Sequence, residues 1–158
     1  MTPARPLQLD HSWPLFERGQ RFELGFVGDG EGLLLPEPVP FPADARLPAD
    51  QGIGLWQCDL ADNSLIWSAE VFDLFGLPRD AVLSRPEIVA LYGEGSRAAM
   101  ERLRAYAIKH RRGFTLDAEI RTIGGEHRWM RLMGAPICAG GRVVRLHGLK
   151  RDVSHEYR

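Results

Sequence analysis

From Gly52 onward the spacing of apolar and polar positions changes several times, and each change predicts an element. Leu55-Trp56-Gln57-Cys58-Asp59-Leu60 and Ser64-Leu65-Ile66-Trp67 predict two short strands joined at Asp62-Asn63, good turn formers. The spacing then becomes helical. Ser68 fits an N-cap, with Glu70 in the first turn, where a negative charge suits the helix dipole. Val71, Phe72, Leu74 and Phe75 form the apolar side of this helix, and Gly76 and Pro78 end it. Pro86-Glu87 opens a second short helix reaching Tyr92, stopped by Gly93. Ser96 is predicted to cap a third, longer helix with Ala99, Met100, Leu103, Tyr106 and Ala107 along one side, and Gly113 to close it. Lys109, His110, Arg111 and Arg112 crowd its last turn, where the dipole favours cations, so this cluster needs no ligand to explain it.

After Gly113 the period is two. Phe114, Leu116, Ala118 and Ile120 alternate with Thr115, Asp117, Glu119 and Arg121, as in a half-buried strand. Gly124-Gly125 turns into a strand over His127–Cys138, and Gly140-Gly141 turns again into Arg142–Asp152. These three strands predict an antiparallel meander with one relatively polar face. The helices must cover the other face, which predicts an α+β domain with one core.

Residues 1–51 follow a different rule. Arg21 to Val27 and Leu33 to Leu35, flanking Gly28-Asp29-Gly30-Glu31-Gly32, could form a hairpin. The alternating prolines of Pro36 to Pro42 then forbid a central strand or helix and predict a stiff, extended connector. A lone hairpin is marginal in water, so this arm needs its own domain or a partner subunit to dock on, and both remain open. The expected division is therefore 1–51 for the arm and connector, 52–155 for the domain, and 156–158 for a tail. Beginning at Met1, the arm is expected to be a natural start.

Composition narrows the classes. Overall charge is near zero, but residues 1–96 carry 6 Lys/Arg against 15 Asp/Glu, and residues 97–158 carry 14 against 6. Such asymmetry can mark a nucleic-acid surface. Here the basic residues alternate along strands or close a helix, positions that are ordinarily solvated, so nucleic-acid binding is not the favoured reading. Cys58 and Cys138 lie far apart with no Cys or His at ligand spacing, and read as reduced, packed thiols in a cytoplasmic protein. Asp10, His11, Glu17 and Arg18 interrupt any signal-peptide core, and no apolar run is long enough to span a membrane.

The ordered residues of the domain resemble the PAS (Per-Arnt-Sim) family, in the variant whose second half is called the PAC motif. The resemblance rests on Gly54-Leu55-Trp56-Gln57-Cys58-Asp59-Leu60, Trp67-Ser68, Phe75-Gly76-Leu77, Gly125-Glu126-His127-Arg128-Trp129 and the closing Asp152-Val153-Ser154. It covers roughly residues 52–155. It implies a five-stranded antiparallel sheet in spatial order 2-1-5-4-3 with helices over one face. It also implies cytosolic signalling by a domain that senses a ligand, redox state or light, or simply dimerises. The family's His-Pro-Asp-Asp stretch before the long helix is replaced here by Tyr92-Gly93-Glu94-Gly95-Ser96-Arg97. The Asn-Cys-Arg-Phe-Leu-Gln run of the flavin-binding photosensors is missing, and His110 sits at the basic end of its helix, so neither flavin of that type nor haem is expected. In multidomain relatives the Asp152-Val153-Ser154 position leads into a linker to a histidine kinase or diguanylate cyclase, which makes these three residues the candidate signal-output motif. Here the chain stops at Arg158, so a separate signalling partner is the other expectation.

Candidate site residues follow from the pattern. Trp56, Phe72, Phe75, Leu91, Met100, Leu103, Leu116 and Leu132 would wall a small ligand cavity between helices and sheet, or close it completely. Trp56, Trp67 and Trp129 could stack on a planar ligand, although core packing and dimer contacts are the commoner roles of such residues. His147 could point a polar group into the cavity or lie at a solvated or interface position. Trp129, Arg131 and Met133 share one strand face and are candidates for a homodimer interface. Gly28-Asp29-Gly30-Glu31-Gly32 reads as a turn, not a phosphate loop, because no helix with Lys-Ser/Thr follows. No nucleophile with a nearby base, catalytic elbow or metal-spaced cluster appears, so an enzyme is not expected. The alternatives are a small enzyme with Asp59, Glu119 or His147 buried in the pocket, or a nucleic-acid adaptor using the Arg-rich second half.

Overall fold

The computed structural model describes residues 9–21 and 52–157. The glycine-rich hairpin beyond Arg21 and the proline connector fall within 22–51, outside the described residues. Strand β1 (Asp10–Pro14) is followed by a 3₁₀ turn (Leu15–Glu17) and helix α1 (Arg18–Arg21). The domain then runs β2 (Gly54–Asp59), β3 (Leu65–Trp67), α2 (Ala69–Phe75), α3 (Arg85–Val89), α4 (Glu94–His110), β4 (Arg112–Arg121), β5 (His127–Ala139) and β6 (Arg142–Asp152). A final 3₁₀ turn spans Ser154–Tyr157.

All six strands form one antiparallel sheet in the order β1-β4-β5-β6-β2-β3. The five strands from β2 onward have the expected 2-1-5-4-3 order. The sixth, β1, is a correction to the five-strand expectation. It pairs with β4 so that Trp13 lies opposite Gly113 and His11 opposite Thr115. Its four polar and proline-bearing neighbours hide any strand period, but the open hydrogen-bonding edge of β4 provides a template for it.

Two sequence-predicted caps move, at Ser96 and Gly113, and a third, Ser68, keeps its place but bonds elsewhere. Ser68 stands at the N-cap of α2, yet its Oγ accepts the Leu55 N–H at 2.8 Å, which ties the helix start to β2. Gly76, with φ of 72°, closes that helix as expected. Helix α4 begins at Glu94, not at Ser96. Ser96 is buried within the first turn, and its Oγ accepts the Glu119 N–H at 2.8 Å, anchoring α4 to β4. Arg111, not Gly113, takes the left-handed position that ends α4, with φ of 54°. Gly113 belongs to β4, and its bare Cα gives the indole of Trp13 room to lie against the sheet.

Alternation divides the sheet into two faces. The helix-side core takes Trp56, Cys58, Phe114, Leu116, Met130, Leu132 and Leu146 from the strands and Val71, Phe72, Phe75, Ile88, Met100 and Leu103 from the helices. The opposite face carries a second cluster of Trp13, Leu55, Ala135 and Leu149, with Leu15, Ile53 and Met133 packed against it. The N-terminal segment thus covers apolar surface that five strands alone would leave in water.

Candidate cavity and its buried lysine

On the helix side, α3, the start of α4 and the sheet leave a cavity of about 50 Å³, enough for a few water molecules or one small ligand. Trp56 and Cys58 of β2, Phe114 of β4, Leu132 of β5, and Leu146 and Lys150 of β6 form its sheet wall. Leu65, Ile88, Val89, Tyr92 and Met100 add apolar surface, and Arg85 and Arg104 border it.

Lys150 dominates the electrostatics. Only 6% of it is exposed, and its Nζ lies 5.5, 5.2 and 5.1 Å from the ring centroids of Trp56, Trp67 and Phe75. Trp67 stacks on Phe75 at 5.0 Å, so the rings form a fixed apolar cage. Burial pushes the Lys150 ammonium down to about pKa 7, with Arg85 acting in the same direction and Cys58 against it. Among the described residues no carboxylate pairs with it. The two arginines are already engaged: Arg85 pairs with Glu101, and Arg104 donates to Asn63 Oδ1 at 3.0 Å. Burial raises the Cys58 thiol, with Arg104 opposing, and raises the Tyr92 phenol, so both stay protonated near neutral pH.

The cavity wall contains Trp56, Met100 and Leu132 of the residues predicted to line it. Phe72, Phe75, Leu103 and Leu116 lie in the surrounding core, and Leu91 packs at its edge. His147 does not face the cavity. It alternates with Leu146 and Gly148 and so points to the opposite face, buried at 8% exposure near Arg18. The enzyme candidates Asp59 and Glu119 also leave the cavity: Asp59 Oδ2 lies 3.8 Å from Arg145, and Glu119 contacts His127 at 3.3 Å. Lys150, Cys58, Tyr92, Arg85 and Arg104 escaped the sequence-based site list. The available signal was a lysine in phase with Leu146 and Gly148, on the face that also carries Trp56 and Cys58 of the paired strand.

No protein-family model matches the chain, and no curated protein matches it. Solved structures do. The chain is similar to the N-terminal domain of a diguanylate cyclase with PAS/PAC sensor from Marinobacter aquaeolei, at 15% identity and TM-score 0.62, over 67% of this chain and 99% of that one. It is similar to a sensory box histidine kinase/response regulator from Burkholderia thailandensis at 18% identity and TM-score 0.59, over 68% and 81% of the two chains. An RNA-binding light-oxygen-voltage receptor matches at 19% identity and TM-score 0.59, over 67% of this chain but 30% of that one. The chain has a PAS-type fold.

The other face of this PAS-type sheet carries the candidate interface residues, and the candidate output motif follows at the end of β6. Asp152 Oδ1 accepts the Ser154 N–H at 2.8 Å, and Ser154 Oγ accepts the Trp129 N–H at 2.9 Å. Val153 between them is fully buried, and its N–H donates to the Trp129 carbonyl at 2.8 Å. These bonds turn the chain back over the sheet, where Tyr157 stacks on Trp129 at 4.0 Å. The Tyr157 hydroxyl donates to Asp117, a carboxylate with no exposure that Arg131 holds through two bonds of 2.8 and 2.9 Å. Glu156 adds a second acid to Arg131 at 3.3 Å. Trp129, Arg131 and Met133 are therefore all half-buried and engaged within the chain, Met133 beneath the Trp13 cluster. The Asp117 N–H also donates to the Leu9 carbonyl at 2.8 Å, so both ends of the described chain meet at this aspartate. His110 is exposed at the end of α4, its ring 4.4 Å from Tyr106. Among the described residues no helix is long and apolar enough to cross a membrane.

Proposed function

We propose that this PAS-type domain is a signal-sensing and interaction module whose cue is a small ligand in the cavity beside Lys150. Strand β6 passes the change to the C-terminal turn. The observation that carries this reading is the double role of β6. Lys150 forms part of the cavity wall, and two residues later Asp152 begins the hydrogen bonds that hold Val153 and Ser154. A shift of β6 by a fraction of an ångström at the cavity strains those bonds directly, because packed elements transmit displacement instead of absorbing it.

The fold supports this reading, since similar solved structures bear the names of a histidine kinase and a diguanylate cyclase with a PAS/PAC sensor. An effector of either kind, or a separate signalling protein, receives the output in this proposal. No bond-breaking chemistry forms part of it. Homodimerisation belongs to the same proposal, through the N-terminal segment, where Phe16 is 86% exposed beside the Trp13 cluster.

Xenon under pressure tests the coupling, because it fills apolar cavities without chemistry of its own. Amide NMR shifts are expected to move at the cavity wall and also at Val153–Tyr157. Movement confined to the wall, or none at all, refutes the proposed route.

A further inference from the structure

The cavity carries one more piece of information: its charge is incomplete. Apolar side chains supply most of the wall, yet a buried ammonium lines it. A buried cation ordinarily has a partner, because its desolvation is otherwise uncompensated. Lys150 has three aromatic rings and no carboxylate among the described residues. The charged and titratable groups around it do not supply one. Arg85 on α3 is neutralised by Glu101 of α4, Arg104 of α4 is held by Asn63, and Cys58 of β2 and Tyr92 stay neutral.

We infer that the cavity binds a short-chain aliphatic monocarboxylate, its carboxylate on Lys150 Nζ and its hydrocarbon tail among Ile88, Val89, Met100 and Leu146. This rests on the proposed sensory role of the cavity and names the chemical class of its ligand. Lys150 is the buried charge of the cavity that lacks a hydrogen-bonding partner among the described residues, whereas Arg104 is half-buried and already donates to Asn63. The site therefore calls for a monoanion. A volume of about 50 Å³ limits the body to a short chain. Away from Lys150 the walls are mainly apolar, with Arg85 and Arg104 only bordering them and already engaged, which favours a hydrocarbon body over a second polar end. Binding converts an unpaired buried charge into a paired one, so the anion gains a charge-assisted hydrogen bond at a site already desolvated.

Calorimetric titration of the full chain with butyrate, and with the neutral isostere butyramide, tests this. Butyrate is expected to bind at least about tenfold more tightly, the effect of one charge-assisted bond. Lys150→Met is expected to abolish that preference, and Lys150→Gln gives the same reading if the Met variant does not fold. Above neutral pH, as the ammonium titrates, butyrate affinity is expected to fall by up to about tenfold per pH unit. If butyramide binds as tightly as butyrate, the cavity reading stands and the carboxylate is wrong. A butyrate preference that survives in both variants places the anion away from Lys150 and overturns the assignment. If neither probe binds and xenon does not enter, the sensory reading of the cavity falls as well.

Discussion

Replacing Lys150 with methionine should stabilise the ligand-free protein, and the size of the effect follows from the structure. The folded chain gives up the Lys150 proton at about pH 7, whereas the ordinary value is 10.5. Keeping the ammonium in the folded chain at or below neutral pH therefore costs on the order of 5 kcal/mol relative to the unfolded chain. The ring faces of Trp56, Trp67 and Phe75 attract the ammonium, but desolvation wins, and this cost is the net penalty. Methionine has a similar length, no charge, and enough flexibility to fill the space against the same rings.

The pH dependence identifies the cause. Between about pH 7 and 10.5 the unfolded chain holds the Lys150 proton more strongly than the folded chain does. Wild-type stability thus contains a component that rises with pH across this window. The Met variant lacks that component. Its advantage is expected to be full below pH 7 and to vanish towards pH 10.5. Urea unfolding of both proteins across this range measures it. A variant less stable than wild type at neutral pH, or a difference independent of pH, would refute the account of Lys150 as an unpaired buried cation.

Two further outcomes probe the other face. In Gly113→Ala the new Cβ would overlap the Trp13 indole. The variant is expected to lose about 2–4 kcal/mol and to show faster hydrogen exchange in β1; unchanged exchange at Trp13 would count against the packing described. Burial, with Arg18 adding to it, pushes His147 down to about pKa 4 from 6.5. Stability should therefore fall as the pH drops from 6.5 towards 4, by up to about 3 kcal/mol, and His147→Leu should flatten that slope. An acid-unfolding profile unaltered by the substitution would show that His147 is not responsible.

Much of the fold was legible because its signals are local. Period two over Phe114–Ile120, the Gly-Gly turns and the Gly76 stop each act within a few residues, and each element stands where these signals put it. The caps were less legible. A serine before a helix can accept from its own first turn or from another strand, and only packing chooses. Ser68 and Ser96 both bond to strands, at Leu55 and Glu119. The candidate site was partly legible: apolar Trp56, Met100 and Leu132 were found, while Lys150 was not, because charge ordinarily predicts exposure.

The sequence by itself determined the kind and order of the elements from Gly54 to Asp152, and it divided each long strand into two sets of side chains. The resemblance carried by its motifs supplied the spatial order of five strands. Alternation is symmetric, so it could not say which set would be covered, or by what. Tertiary structure decided that helices close over the set containing Lys150, while Trp13 and the C-terminal turn cover the set containing His147 and Asp117. It also recruited β1 to the free edge of β4, far away in sequence. The physical reason is common to all of these. Burial and pairing are properties of surfaces brought together by folding, and a buried ammonium or aspartate acquires its chemistry only when that surface closes.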